Sequence, residues 1–249
     1  MDDRAQAIQF RQYEFPYHHI PHVNARGNGN RVRVLKWGLE YLIYMEHVAE
    51  LICREGPKSV LDVGCGDGFL LGRLPGTIPV RVGIDLNERA ISFARAFFPE
   101  VDFRAQDVAQ IGERFDVVCA IEVLEHIPDD HVDAFLGSVA ARVKPGGLLV
   151  LTVPTTNQPL NPKHYRHYDL DLLKQHAGTG MPHMRLENAR YFYRLSLFER
   201  LYRNITQNAL IYGDIPVLRR FVYSHARLNA GKATPSDGMH LVSAFRRPS

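Results

Sequence analysis

The feature that most constrains the fold is a short apolar strand that runs directly into three alternate glycines, in the sequence Val60-Leu61-Asp62-Val63-Gly64-Cys65-Gly66-Asp67-Gly68-Phe69-Leu70. An unbroken apolar run of this length is typical of a parallel strand that is buried on both faces. Glycines at its end let the backbone turn sharply and bring its N–H groups against a ligand, where a Cβ would intrude. The stretch therefore predicts a nucleotide-binding turn between a strand and a helix.

The spacing of these glycines argues against a dinucleotide. The dinucleotide fingerprint is G-x-G-x-x-G, whereas here the third glycine, Gly68, comes one residue early and the acidic Asp67 would face a diphosphate. With Asp62 two residues before the first glycine, the stretch resembles motif I of class I S-adenosylmethionine (SAM) dependent methyltransferases. Their ligand is a sulfonium cation with a free amino group, which acidic side chains suit.

Later segments match the same family in the same order, over about residues 58–154. A second strand is predicted over 80–86, with Asp85 at its carboxyl end, 21 residues after Gly64. A carboxylate at this offset can accept hydrogen bonds from both ribose hydroxyls. A third strand, 101–108, ends in Gln106-Asp107-Val108, where the family commonly places an acidic side chain on the adenine amino group. The resemblance implies these SAM contacts: Asp62, Gly64, Cys65, Gly66, Asp85, Leu86, Gln106, Asp107, Val108 and Ile121.

Strands that alternate with helical patterns predict an α/β fold, namely a doubly wound, mostly parallel, seven-stranded sheet of the Rossmann-like methyltransferase type. We expect one methyltransferase domain over residues 35–249, opened by a helix over 35–55. A helical insertion at about 194–232 should precede the last strand, which the pattern places at 239–245.

Residues 1–34 form a polar N-terminal arm that concentrates aromatic and imidazole side chains between prolines. The arm is either a flap that packs on the domain surface or a lid over the active site. We favour the lid, with Tyr17, His18, His19 or Arg26 touching the substrate.

Because SAM carries its own leaving group, the protein has to align a nucleophile, exclude water and accept a proton where the acceptor requires it. Groups able to do so follow the predicted fourth strand, 115–121, and the predicted fifth strand, 148–154. The predicted catalytic residues are His126, Glu122, His164 and His167. His126 is either a general base near neutral pH or a residue that orients the loop.

The Glu-x-x-Glu-His spacing at Glu122, Glu125 and His126 also resembles the metal cluster of small-RNA 3′-terminal 2′-O-methyltransferases, in which a later histidine completes the site. The resemblance implies a divalent ion held by Glu122, Glu125, His126 and His167, with His164 as the alternative later histidine. The same spacing is widespread among small-molecule methyltransferases, including quinone O-methyltransferases, so it leaves metal dependence open.

Charge is uneven along the chain. The net charge is +3, yet from Arg185 onward there are 11 Lys and Arg against 4 Asp and Glu, interleaved with aromatic residues. Such a region suits a phosphate-bearing or sugar-nucleotide substrate, a lipid-linked glycan at a membrane surface, or RNA, and it equally fits a solvated basic face over an aromatic core. Peripheral membrane contact is one consequence that this pattern allows.

No apolar run approaches the ~18 residues of a membrane span, the start lacks a signal-peptide pattern, and the three cysteines indicate reduced thiols. We therefore expect a soluble, cytoplasmic enzyme. The predicted function is SAM-dependent methylation, at oxygen, of a small molecule or a surface-glycan or sugar-phosphate precursor. The alternatives are a metal-dependent RNA ribose 2′-O-methyltransferase and a non-catalytic SAM-binding subunit.

Overall fold

The computed structural model describes Phe10, residues 35–206 and residues 215–249. Within them lies a seven-stranded sheet in the order β3-β2-β1-β4-β5-β7-β6. The strands are β1 (Ser59–Val63), β2 (Val80–Asp85), β3 (Asp102–Ala105), β4 (Phe115–Ile121), β5 (Val143–Pro154), β6 (Arg185–Phe192) and β7 (His240–Arg246). β1 to β5 are mutually parallel and β7 runs antiparallel to both of its neighbours. The predicted doubly wound, mostly parallel sheet is confirmed.

Helices cover both faces of the sheet, and each face has its own hydrophobic cluster. They are α1 (Leu35–Arg54), α2 (Phe69–Arg73), α3 (Glu88–Phe97), α4 (Val132–Ala141), α5 (Leu170–Gly180), α6 (Leu197–Thr206) and α7 (Pro216–Ala230). On β4, Val117 and Cys119 belong to the cluster that contains α1 and α7, whereas Val118 and Ala120 belong to the cluster of α4 and α5. A strand covered on both faces is mostly apolar, which is why apolar residues dominate β1 and β4; Ser59 and Asp62 are the buried polar residues of β1.

Element boundaries follow the sequence pattern closely. The third strand is shorter than predicted, because Asp107 ends it by capping a short 3₁₀ turn over Val108–Gln110 with its side chain. The predicted insertion is present as α6 and α7, and α7 buries Val222 and Ala226 in the same cluster as α1. Apart from Phe10, the predicted arm over residues 1–34 lies outside the described residues.

The sheet brings functional side chains to one edge. Because β1, β2, β4 and β5 are parallel, the residues that follow them share the carboxyl edge of the sheet, where ligands of doubly wound folds bind. The antiparallel β7 begins at this edge, and its first residue, His240, pairs with Pro154 at the end of β5. Among the described residues, no helix combines the length and apolarity needed to cross a membrane.

Candidate active site

The glycine turn after β1 has the backbone conformation that requires glycine. Gly64 and Gly68 have φ angles of 74° and 80°, and a Cβ on Gly64 would lie 2.5 Å from Cγ2 of Val123. The N–H groups of Gly64 and Cys65 donate to the carbonyl of Ile84 at 2.8 and 3.0 Å. The turn is therefore tied to the end of β2 and leaves no room for a side chain at Gly64.

Asp85 is the residue that fixes this turn in place. Its Oδ2 accepts a hydrogen bond from the N–H of Gly66 at 3.0 Å, and its Oδ1 accepts one from the N–H of Asn87 at 2.8 Å. Burial raises the pKa of Asp85, although these backbone donors oppose the shift. Burial, with the charge of Asp85, also raises the pKa of Asp62 to about 8. Two acidic side chains that lie close together and are shielded from water favour a cationic ligand nearby, because its charge would offset their mutual repulsion.

A cavity of about 410 Å³ opens at the carboxyl edge beside this turn. Six of the ten predicted SAM contacts line it, namely Gly64, Asp85, Leu86, Gln106, Asp107 and Val108. Its other wall includes Glu122, His126, His131, Phe135 and Tyr165, and Phe10 lies at the cavity as well. The remaining predicted contacts are not among its lining residues, and Asp62, Cys65 and Ile121 are buried.

A second cluster forms where β4 ends in a 3₁₀ turn over Leu124–His126. It consists of Glu125, His126 and His164, each of which offers one ligand atom within 4.8 Å of the others. Glu125 is 1% exposed, and its Oε2 is buried without a hydrogen-bond partner among the described residues. Burial, together with the charge of Glu122, raises the pKa of Glu125 well above its ordinary value. A buried carboxylate oxygen of this kind is costly unless a ligand satisfies it.

Hydrogen bonds orient the histidine rings of the cluster. Nδ1 of His126 donates to the carbonyl of Lys163 at 3.0 Å, so Nε2 of the neutral His126 ring carries the lone pair. Nδ1 of His167 donates to the carbonyl of Gln158 at 3.1 Å, and its Nε2 lies 2.8 Å from Nδ1 of His164. His167 therefore holds the ring of His164 in place.

Both histidines of the cluster are neutral at physiological pH. Burial lowers the pKa of His126 to about 4 and that of His164 to about 3. Neutral imidazole is the form that binds metal ions and accepts protons.

The structure distributes the predicted metal ligands differently from the sequence expectation. Glu125 and His126 share the cluster, but the later histidine within it is His164, and His167 lies behind it as its hydrogen-bond partner. Glu122 lines the cavity, yet its carboxylate contacts His240 and Thr152. The four predicted catalytic residues thus fall into two groups, one around Glu125 and one around His240.

His240 is a site residue that the sequence analysis missed. Its Nε2 lies 2.8 Å from Oε1 of Glu40 and its Nδ1 lies 3.3 Å from Oε1 of Glu122. Its ring stacks on that of Tyr44, whose hydroxyl is 2.8 Å from Oγ1 of Thr152. Burial alone would lower the pKa of His240, but the charge of Glu122 and hydrogen bonds to both carboxylates raise it to about 10. His240 is therefore an imidazolium.

Glu122 is held in an unusual conformation by these contacts. Its φ angle is 55°, which side-chain-bearing residues rarely adopt, and its N–H donates to the carbonyl of Thr152 at 3.0 Å. The sequence offered one indication of a role for His240, namely its position at the start of the predicted last strand, 239–245. Only the antiparallel direction of that strand puts its first residue at the site.

Comparison with known proteins agrees with this geometry. Residues 41–202 match the family model described as "Methyltransferase domain". The chain belongs to this methyltransferase family. The predicted methyltransferase family is thereby confirmed.

Curated relatives match part of this chain. A ubiquinone biosynthesis O-methyltransferase from Methylobacterium nodulans is 44% identical over 100 residues, which cover 36% of this chain and 38% of the relative. One from a Bradyrhizobium species is 35% identical over 120 residues, 46% of each chain. The methyltransferase thus matches less than half of the length of these relatives.

Solved structures show the same fold at low sequence identity. The magnesium protoporphyrin IX methyltransferase of Synechocystis PCC 6803 with bound SAM has a TM-score of 0.61 and 16% identity, and the alignment covers 99% of this chain and 98% of that one. A 1,6-didemethyltoxoflavin N1-methyltransferase of Burkholderia thailandensis has a TM-score of 0.55 and 18% identity, covering 86% and 81%. At these identities the likeness shows the fold alone.

Proposed function

We propose that this methyltransferase transfers a methyl group from SAM to a hydroxyl oxygen of a small molecule. The observation that carries the proposal is the cluster of the buried Glu125 with the partly buried His126 and His164, in which two neutral imidazoles and an unpartnered carboxylate oxygen meet beside the cavity. Such groups can bind and deprotonate a hydroxyl, which amine acceptors do not require. The name of the curated relatives, ubiquinone biosynthesis O-methyltransferase, supports the same class of reaction.

The cofactor side of the cavity fits SAM. Asp85 has hydrogen-bond acceptors at the end of β2 for ribose hydroxyls, and the walls beside it include the apolar Val108, which suits an adenine face. Asp85, the acid that lines the cavity, favours the positive charge of the sulfonium and amino groups. When bound, SAM supplies a methyl carbon on a positively charged sulfur.

The acceptor side fits a divalent cation. One carboxylate and two neutral imidazoles form an adequate ligand set, with Glu125, His126 and His164 as the ligands and His167 orienting His164. A bound cation would lower the pKa of an acceptor hydroxyl. Without it, Nε2 of His126 is placed to accept the hydroxyl proton as a general base.

The acceptor itself is proposed at the level of its chemistry. A phenol or related hydroxylated small molecule is the first choice, and a surface-glycan or sugar-phosphate precursor shares the requirement for a hydroxyl. The terminal ribose of an RNA also presents a hydroxyl to a metal cluster. The assay therefore has to distinguish an RNA acceptor from a small-molecule acceptor.

The test is methyl transfer from radiolabelled SAM to a panel of catechols, simple phenols, sugar phosphates, short RNAs and small amines, with and without a chelator. We expect product with a hydroxylated small molecule and loss of turnover in Glu125→Gln and His164→Ala. The matched control is His183→Ala, since His183 is exposed after α5. Methylation confined to nitrogen acceptors, or full activity of both cluster variants, would contradict the proposal.

A further inference from the structure

Helix α6 exposes an apolar stripe. Leu197, Leu201 and Ile205 are 72%, 50% and 65% exposed and stand four residues apart, so they share one face of the helix. The other face is buried through Tyr202 and Thr206. The helix is therefore attached to the domain by one face and leaves large apolar side chains on another.

Helix α7 has the same arrangement. Val217, Phe221 and Leu228 are 79%, 60% and 76% exposed and lie within one helical face by their spacing. The opposite face packs in the core beside α1. The ring of Phe198 on α6 meets that of Phe221 edge to face, with centroids 5.4 Å apart, so the two stripes adjoin. We call the exposed apolar residues of both helices the α6–α7 surface.

The two helices that form the α6–α7 surface carry mainly positive charge. They contain five arginines, Arg200, Arg203, Arg219, Arg220 and Arg227. Their single carboxylate, Glu199, is 1% exposed and accepts a hydrogen bond from the hydroxyl of Tyr193 at 2.7 Å. Arg200, Arg220 and Arg227 are exposed, and Arg227 pairs with Glu46 and Glu50 of α1 at 3.7 and 2.8 Å. The exposed charges that the two helices themselves carry are therefore positive.

We propose that the α6–α7 surface docks on the surface of an anionic lipid bilayer. Helices that combine a strip of large apolar side chains with arginines insert the former at the acyl boundary and pair the latter with anionic headgroups. Single exposed apolar residues are ordinary, but two adjoining stripes on neighbouring helices form a patch of the kind that marks an interaction site.

Charge decides between this occupant and the alternatives. In a symmetric dimer the same patch would face itself and bring the arginines of both copies together. The chain's own residues 1–34 carry five arginines against three carboxylates, so they too are positively charged. An anionic bilayer complements both the charge and the apolar side chains.

The docked helices adjoin the edge of the sheet that holds the active site. The N–H of Tyr193, directly after β6, donates to the carbonyl of Ala230 at the end of α7, and the N–H of Met239, directly before β7, donates to that of Tyr193, both at 2.8 Å. Both ends of the insertion thus lie at the carboxyl edge. A consequence that rests on the proposed function is that the acceptor carries an apolar chain and is taken from the bilayer.

The experiment is flotation of the full-length protein with vesicles of phosphatidylcholine alone and of phosphatidylcholine with phosphatidylglycerol. We expect binding to the anionic vesicles, weakened by added salt. Leu201→Asp and Phe221→Asp should weaken it by about tenfold or more, since each places a carboxylate at the acyl boundary. The control is Phe97→Asp on α3, where Phe97 is 49% exposed; this helix packs on β2 and β3, at the opposite end of the sheet from β7 and β6.

Circular dichroism and S-adenosylhomocysteine binding check that each variant folds. Equal binding of the wild type and both α6–α7 variants would overturn the proposal. A second result would also overturn it: the wild type does not bind anionic vesicles, light scattering shows a dimer, and the Leu201→Asp variant is a monomer. In that case the α6–α7 surface would be covered by a second copy of the chain. Vesicle binding is measured without an acceptor, so its failure is distinguishable from a failure of methyl transfer.

Discussion

Nε2 of His240 lies 2.8 Å from Oε1 of Glu40, although the two residues are 200 positions apart in the chain. Glu40 comes from α1 and His240 from the first position of β7, so this contact joins the first helix of the domain to the active-site edge. Glu122 accepts from the other nitrogen of the ring. A positive charge between two carboxylates holds Glu122 where it lines the cavity.

The first prediction concerns the pH dependence of stability. The pKa of His240 is raised from 6.5 to about 10 in the folded protein, so its stabilising contribution is complete below pH 6.5 and is lost as the pH rises toward 10. In urea titrations with a chelator present, the free energy of unfolding should therefore be greater for the wild type than for His240→Gln below pH 6.5. This difference should shrink toward pH 10.

Glu40→Gln provides the comparison, because it keeps the imidazole and removes one carboxylate. We expect an intermediate pH dependence for it. A difference between wild type and His240→Gln that does not vary with pH would show that His240 is neutral in the folded protein.

The second prediction concerns cofactor affinity. Asp85→Ala removes the acceptor of the Gly66 and Asn87 N–H groups and the expected acceptor of ribose hydroxyls. Since a hydrogen bond to a charged group contributes about 1.5–3 kcal/mol, titration calorimetry should show SAM and S-adenosylhomocysteine affinity reduced by about tenfold to a hundredfold or more. The control is Asp102→Ala: Asp102 is the first residue of β3 and lies away from the carboxyl edge of the sheet, so the affinities for SAM and S-adenosylhomocysteine should not change. Tighter binding of NAD than of SAM would refute the cofactor assignment.

The third prediction concerns the metal. If Glu125, His126 and His164 hold a divalent ion, elemental analysis of gently purified protein should find one equivalent, and Glu125→Gln should lose it. His167→Ala should bind it more weakly, since His164 loses the group that orients its ring. Metal-free protein with normal turnover would instead leave His126 as the general base.

The fourth prediction concerns the N-terminal arm, which we propose to be a lid. Phe10 lies at the cavity wall, so removal of residues 1–30 should reduce turnover far more than S-adenosylhomocysteine affinity. Phe10→Ala should lower turnover in the same direction, with the melting temperature unchanged. A fully active truncated protein would rule out the lid, whereas one unable to bind SAM would make the arm part of the cofactor site.

The sequence by itself determined the sheet and the cofactor edge. Buried parallel strands are mostly apolar, and a turn with positive φ angles favours glycine, so Val60 to Gly68 could be interpreted locally. The offset from Gly64 to Asp85 follows from the length of one strand–helix–strand unit. Local patterns of this kind need no knowledge of distant residues.

Tertiary structure alone decided which distant side chains meet. The choice between His164 and His167 depends on a hydrogen bond to the carbonyl of Gln158, which no spacing rule encodes. His240 reaches Glu122 because β7 runs antiparallel, and strand direction is set by packing of the whole sheet rather than by the residues of the strand. Likewise, the sequence placed apolar residues on α6 and α7, but only the packing of α7 against α1 decided which of them face outward.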